Sequence, residues 1–378
     1  MDLPSPLSRW RTERRPAWAA GVVLAGLPAG ATPRVLDRIH RGLRPPEVEA
    51  LRALVGQAAL DAFVLALLDA WARGDGPAED AWVFRGIGAL GGPDAIRAVG
   101  RKIEGWARAK HFAWSAHGLG LLRAAPQEAA RLALLRLSLD ARDGRVRTEA
   151  TRAIDELAKR EGVDRFALGE GIGRDLGFDA GGRREVAGIH VALDAELHPW
   201  VVDDGWLEAP PPGAGAEATR AWRALRDDLR ALKRVRLRVL ERAMRSARSW
   251  SVDALRASWV EPVVILPLSA RVLWEIGDER VRLDGDGTLR DAHDEPRPWP
   301  SEARCRVAHP RSMDPVEVAQ FRERFEEYEL VSPFAQLDRE VYEWPATALH
   351  EDRFEACVDV RPHPLRLRAL EEVGWSPV

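Results

Sequence analysis

The chain has little cysteine: two residues in 378, Cys305 and Cys357. Two thiols cannot build a disulfide framework, so a packed core has to hold the fold, and a reducing, cytoplasmic setting fits this usage. One bridge between the two remains open. A charge surplus is also missing. The 56 basic and 59 acidic residues leave a formal net charge of −3. No global field therefore draws the chain onto nucleic acid or an anionic membrane, and such binding would need a local patch. Lysine is scarce while Ala, Arg and Gly abound, which reads as the coding bias of a GC-rich genome. Apolar runs of membrane-spanning length are absent as well. The stretch Ala17 to Leu27 holds 11 residues, too few to cross a bilayer. With the basic Arg11 to Arg15 before it and Ala29-Gly30-Ala31 after it, this stretch imitates a signal peptide. Pro16 and Pro28 bracket it like the ends of a local helix and loop of the mature chain, and that is the reading adopted.

What is present is a globular composition, 46% hydrophobic and 30% charged, able to bury a core. From about Ala58 to Gly162 apolar residues recur at three- and four-residue spacing, and Gly or Pro marks the ends. The spacing predicts helices over 59–71, from beyond Pro77 to Gly91-Gly92, from Pro93 to Trp106, over 112–124, from Pro126 onward, and over 145–160. Pro93 stands where a first-turn proline belongs. Gly86-Ile87-Gly88-Ala89-Leu90 and Gly118-Leu119-Gly120-Leu121-Leu122 lie 32 residues apart, and the same step lands on Ala150. A two-helix unit of this period is the signature of helical solenoids, so the expectation is a HEAT-like repeat region over 58–180, preceded by a helical lead-in over 1–57.

After Gly162 the texture changes. Glycines break up 169–182, and Gly169-Glu170-Gly171-Ile172-Gly173 imitates a nucleotide-binding loop without a strand before it. Val186 to Leu193 alternates weakly and is a strand candidate. Pro210-Pro211-Pro212 with Gly213 and Gly215 has the composition of a linker, so 181–215 reads as a connecting segment and 216–378 as a separate module. A long amphipathic helix opens that module. Trp222, Leu225, Leu229, Leu232, Val239, Leu240 and Ala243 share one side of it, and Arg234, Arg238, Arg242, Arg245 and Arg248 the other. Beyond it, 263–266 reads as a short buried strand or turn. Strands at 272–275 and 280–283 with a turn at Asp284-Gly285-Asp286-Gly287 suggest a small β-meander. Further strands are expected at 305–308 and 354–360, and helices at 316–328 and 365–372. The fold class read from the sequence is therefore α+β: an N-terminal HEAT-like α-solenoid followed by a mixed α+β C-terminal module.

Several stretches resemble a bacterial family known as domain of unknown function 4132, found at the C-terminus of proteins labelled molybdate metabolism regulators. They are 232–236, 240–244, Arg248-Ser249-Trp250, Val272-Leu273-Trp274, Asp286-Gly287-Thr288, Val307-Ala308-His309-Pro310, the block Tyr328 to Arg339, and Gly374-Trp375. Upstream, 82–90, Trp106 and 175–179 are similar to the helical region that precedes this domain in longer relatives. Glu261-Pro262 stands where relatives carry His-Pro. The connection near 182–186 is shorter, and the chain ends just after Gly374-Trp375, short of the extension of larger members and without a WGR module. The resemblance implies the architecture and leaves the biochemistry open.

Among polar residues, Arg236 falls in the middle of the long helix's apolar face, where a guanidinium must snorkel out or find a partner. It either forms a structural ion pair or lines an anion site. Gln336 and Arg339 lie three apart after Pro333-Phe334 and could point into one place, or simply bond a polar loop's backbone. His309-Pro310 ends a strand candidate, as a capped end or a general base. If Arg236, His309, Gln336 and Arg339 converge, they form a ligand or anion pocket. The arginine stripe of 234, 238, 242, 245 and 248 is a candidate basic surface for phosphate or nucleic acid. Its alternative is a solvated face balanced by acids such as Glu323, Glu326 and Glu327. Cys305-x3-His309 and Cys357-x5-His363 are too loosely spaced for a zinc site to be favoured. The acid pairs Asp203-Asp204, Asp227-Asp228 and Glu326-Glu327 lack supporting context. The tryptophans fall at core-like spacing, with Trp200 and Trp206 the candidates for exposure. No phosphate-binding loop, nucleophile elbow or dinucleotide fingerprint occurs.

No metal or cofactor is implied and no catalytic residue is identified, so the sequence leans away from an enzyme. The leading reading is a non-catalytic interaction or regulatory protein with a protein partner and no membrane association. A C-terminal anion-binding or catalytic pocket is the first alternative, and nucleic-acid binding, which the pattern does not favour, the second.

Overall fold

The computed structural model describes residues 7–10, 16–28, 30–202 and 206–339. It forms two compact units. The first comprises Met1–Gly173 with Arg220–Val235, and the second Arg174–Thr219 with Arg236–Val378. The expected strand at 354–360, the helix at 365–372 and Gly374-Trp375 lie outside the described residues.

The first unit is helical: α1 (Thr32–Arg41), α2 (Pro45–Val55), α3 (Gln57–Arg73), α4 (Trp82–Leu90), α5 (Pro93–Arg108), α6 (Phe112–Ala124), α7 (Glu128–Asp140), α8 (Gly144–Glu161) and α9 (Arg165–Gly171). Local chemistry sets the ends. Pro93 occupies the first turn of α5 after Gly91-Gly92. Asp143 caps α8 by accepting from the amides of Arg145 and Val146, and Gly162 closes the same helix in the left-handed conformation. Of the local helix and loop expected over 17–27, the structure forms a 3-10 turn over Ala17–Ala19 followed by turns and irregular chain.

Helix packing in this unit follows a rule of alternation. α3 packs on α5 and α5 on α7, while α4 packs on α6 and α6 on α8. Small residues make the approaches close. A Cβ on Gly86 would lie 2.5 Å from Ile39 Cγ2, and one on Gly118 would lie 2.9 Å from Ile103 Cγ1. Aromatic rings fill the space between: Trp71 stands edge-on to Phe84 at 5.3 Å and tilted to Trp114 at 5.0 Å. A polar clasp joins α3 to the start of α5. Gln57 Nε2 donates to Leu90 O at 2.8 Å, and buried Asp61 accepts the amide of Gly92 at 2.5 Å. Among the described residues no single helix is long and apolar enough to cross a membrane.

The second unit holds both sheets. β1 (Arg183–Val186), β2 (Ile189–Leu193) and β3 (Pro199–Val201) form a three-stranded antiparallel sheet in sequence order. The single strand expected over 186–193 is thus half of a hairpin. Its two-residue turn is Ala187-Gly188, both at positive φ (49° and 83°), the geometry that suits the twist of paired strands. An alanine in the first of those positions hides the turn from sequence inspection.

Helix α10 (Gly215–Arg245) supplies residues 220–235 to the first unit and its remaining turns to the second. After it come β4 (Trp250–Ser251), α11 (Val252–Leu255), a π-turn over Arg256–Val260 and α12 (Leu266–Ser269). The meander follows as β5 (Trp274–Ile276), β6 (Glu279–Leu283), β7 (Leu289–Arg290) and β8 (Pro296–Arg297), then β9 (Arg304–Val307) and α13 (Pro315–Glu327). The second sheet is antiparallel throughout, in the order β4-β9-β5-β6-β7-β8. The sequence-adjacent hairpins are β5 to β8, while β9 closes back on the other side of β5. Asp314 caps α13 ahead of Pro315, and Phe321 and Phe325 of that helix pack with Leu273, Ala308 and Leu337 in one core. A helical N-terminal region and a sheet-bearing C-terminal region make the chain α+β.

Candidate functional site

The second unit contains the four residues whose convergence would make a pocket. Arg236 is wholly buried, on the face of α10 that also buries Val239, Leu240 and Ala243. Its guanidinium carbon lies 5.2 Å from the ring centroid of Trp259, close enough for a cation–π contact. Trp259 belongs to a buried cluster with Trp250 and Trp274, with centroids 5.9 to 6.3 Å apart. The long apolar stem and flat head of an arginine suit such an aromatic bed better than an ammonium would.

Gln336 is also buried, and its amide is engaged on backbone. Oε1 accepts from Leu273 N at 2.9 Å, and Nε2 donates to the carbonyls of Leu273 and Ala308, each at 2.8 Å. With both amide hydrogens and the oxygen committed, the side chain works as a splint between the residue that precedes β5 and the end of β9. His309 follows directly. Its Nδ1 accepts the Arg311 amide at 3.1 Å and caps the short turn Pro310–Ser312. Burial, reinforced by the positive charges of Arg339 and Arg311, pushes this imidazole below its usual pKa. Arg339 itself lies 3.8 Å from Glu241 of α10. The structure therefore gathers His309, Gln336 and Arg339 around the ends of β5 and β9, and sets Arg236 in the tryptophan cluster. With Nδ1 accepting the Arg311 amide, the imidazole keeps Nε2 as a donor, and the two guanidinium groups beside it attract an anion. Gln336 keeps no amide hydrogen to offer a ligand.

The arginine stripe is uneven. Arg234 and Arg238 are exposed, whereas Arg242, Arg245 and Arg248 are half-buried. Arg238 lies 3.8 Å from Glu241, Arg234 lies 4.0 Å from Asp140, and Arg248 sits 5.6 Å over the ring of Trp250. Of the acids expected to balance the stripe, Glu323 and Glu327 pair with Arg324 instead.

The acid pair Asp227-Asp228, which had no evident role, faces arginines of α5. Asp228 takes a two-pronged bond from Arg97, and Asp227 lies 3.4 Å from Arg101. Asp203-Asp204, Cys357 and His363 lie outside the described residues. Among the described residues no group of three or more His, Cys, Asp and Glu side chains is placed to hold a metal ion. Cys305 is buried in β9, and burial pushes its thiol up to about 11. Trp206 is exposed and stacks edge-on against half-buried Trp200 at 6.2 Å.

Three residues of this region were not among the sequence's candidate site residues: Glu241, Arg311 and Trp259. For Glu241 a signal existed, since it is the lone acid among the basic residues of 233–248. Trp259 carried none, because its meeting with Arg236 depends on how the chain returns after α10.

The model of the family described as "Domain of unknown function (DUF4132)" matches residues 207–375. The chain is also similar to "Uncharacterized protein YehI" of Escherichia coli (strain K12), with 25% identity over 333 residues, covering 80% of this chain and 26% of that protein. The chain thus spans about a quarter of the length of the curated relative it matches. No solved structure matches it.

Proposed function

We propose that the chain is a non-catalytic interaction module, with a HEAT-like helical array as the docking surface for a partner protein and the sheet-bearing unit as a second, regulatory part. What supports this reading is the alternation of the helices. α3, α5 and α7 pack in one series and α4, α6 and α8 in another. The positions 32 residues apart, Gly86, Gly118 and Ala150, are all buried. A stack of two-helix units exposes a long continuous face built from successive repeats, which is how such arrays bind other proteins. Nucleic acid is left out of the reading, since three of the five stripe arginines are half-buried and Arg238 has Glu241 beside it.

The test is to crosslink the tagged protein in its own host, identify the partner and map its footprint by hydrogen exchange. Protection along α3 to α8 is expected. Turnover in a broad substrate panel that is lost in His309→Ala or Arg339→Ala would overturn the reading.

A second reading, an anion-responsive effector, draws support from His309, whose imidazole pKa is pushed down by burial and by Arg339 and Arg311. An anion seated there would offset the two cations and raise the His309 pKa. NMR titration of that imidazole with and without sulfate measures this, and an unchanged midpoint removes the idea.

A further inference from the structure

The first unit contains a cleft of about 240 Å3 between α5, α7 and the 227–234 stretch of α10. Its floor is made of small residues: a Cβ on Gly100 would lie 3.0 Å from that of Ala133, so the two helices approach closely beneath it. Charged side chains make the walls. Five are arginines and two are aspartates.

Two of the arginines are struts. Arg97 bonds Asp228 through Nε at 2.7 Å and Asp94 through Nη1 at 2.7 Å. Arg136 bonds Glu104 at 2.9 Å and the carbonyl of Gly100 at 3.1 Å. These guanidinium groups are spent on holding the walls in place. The other three are not committed in the same way. Arg101 approaches Asp227 at 3.4 Å, with side chains 58% and 49% exposed. Arg234 reaches Asp140 at 4.0 Å. Arg230 is exposed and has no ion-pair partner among the described residues. Loose exposed pairs of this kind contribute little, so these guanidinium groups are able to turn into the cleft at little cost. Arg230 and Arg234 stand one turn apart on the same face of α10, which lets both reach one ligand.

We propose that this cleft binds a phosphoryl group, either as free phosphate or pyrophosphate or as the monoester of a small metabolite, with Arg230 as the principal contact and Arg101 and Arg234 flanking it. Planar guanidinium forks match phosphate oxygens in pairs. The positive lining leaves room for a dianion, and the size suits a small ligand, since drug-sized ligands occupy clefts of about 300–1,000 Å3. Anion binding here does not depend on the docking reading, although α5 and α7 belong to both.

The experiment is calorimetric titration of the full chain, at low ionic strength, with inorganic phosphate, pyrophosphate and phenyl phosphate. Saturable binding of at least one probe is expected, weakened tenfold or more by Arg230→Gln and several-fold by Arg101→Gln. Arg152→Gln, at an exposed position on α8 outside the cleft, should leave it within twofold. Tighter binding of phenyl phosphate points to an organic ester as the source, and tighter binding of the inorganic probes to the free anion; both support the site. Thermal midpoints of the variants near that of the parent show that they are folded. No saturable binding of any probe, or equal affinity in the folded Arg230→Gln protein, overturns the proposal.

Discussion

Gln336 lays its side-chain amide against the backbone of Leu273 as a neighbouring strand would. Leu273 N donates to its Oε1 at 2.9 Å, and its Nε2 donates back to Leu273 O at 2.8 Å. A third bond reaches the carbonyl of Ala308, tying the approach to β5 to the end of β9. Leu273 O has a second donor in Ala308 N, at 2.9 Å, so loss of the glutamine strands chiefly Leu273 N and Ala308 O. Each buried group left without a partner costs about 1–3 kcal/mol. Gln336→Leu is therefore expected to destabilise the protein by about 3 kcal/mol, read as a lower urea midpoint. A loss below about 0.5 kcal/mol would show that the amide is not the splint described, since that is the size of a neutral surface change.

Glu47 is the anchor of the N-terminal helices. Arg38 Nε, Arg44 N, Arg44 Nη2 and Trp10 Nε1 all donate to its carboxylate, at 2.8 to 3.2 Å. Burial on its own would raise its pKa, but the hydrogen bonds from Arg44, Arg38 and Trp10 prevail and hold it down to about 2, against an ordinary 4.5. A carboxylate depressed in the folded state contributes stability that is fully present above its unfolded pKa and is lost as pH falls through the folded one. The window here runs from about 4.5 down to about 2, and the contribution is about 3 kcal/mol from the free energy carried by each pKa unit. Glu47→Gln should flatten the acid limb of stability in that window, as followed by denaturant melts at successive pH values. Parallel acid limbs in the two proteins would contradict the assignment.

Gly76 combines two constraints. Its φ is +56°, and a Cβ placed on it would run into the indole of Trp114. Gly76→Ala is expected to cost about 1–3 kcal/mol, from left-handed strain and displacement of the ring. The matched control is Gly144→Ala at the start of α8, where a Cβ meets nothing within 4 Å and the lower entropy of the unfolded chain should give a gain of about 0.4–1 kcal/mol. Differential scanning calorimetry on both variants separates the two signs, and equal midpoints would refute the difference in environment.

Cys305 is fully buried and its thiol is pushed up to about 11 by burial. Reaction with a disulfide reagent needs the thiolate and access to it. In a Cys357→Ser background, the native protein at pH 8 should show almost no reactive thiol, and one equivalent should appear on denaturation. Complete labelling of the folded protein within minutes would refute the buried placement.

The helices from α3 to α8 were legible in the sequence to within a few residues. Their ends are written in local terms: Pro93 in a first turn, Asp143 as a cap, Gly162 beyond a last turn. The meander was legible for the same reason, because alternation and the turn at Asp284 to Gly287 act over a few residues. The β1–β2 hairpin was not, since Ala187 takes a positive φ (49°) that alanine adopts rarely.

The candidate site was legible as a list of residues but not as an arrangement. The position of Arg236 on the apolar face of α10 follows from helical periodicity, but whether it snorkels out or is buried does not. Neither does its resting place on Trp259. The same holds for Gln336 on Leu273, 63 residues away, and for Arg97 on Asp228, 131 residues away.

By itself, then, the sequence determined roughly where helices α3 to α8, α10 and α13 and strands β5, β6 and β9 lie, which faces are apolar, and that no charge surplus steers the chain. These depend on dihedral preferences, capping and periodicity, which act between near neighbours. Only the tertiary structure decided which buried polar group meets which partner, and which acid neutralises which arginine. A guanidinium or amide can be satisfied by any suitable group within reach, and what lies within reach is set by how distant segments pack.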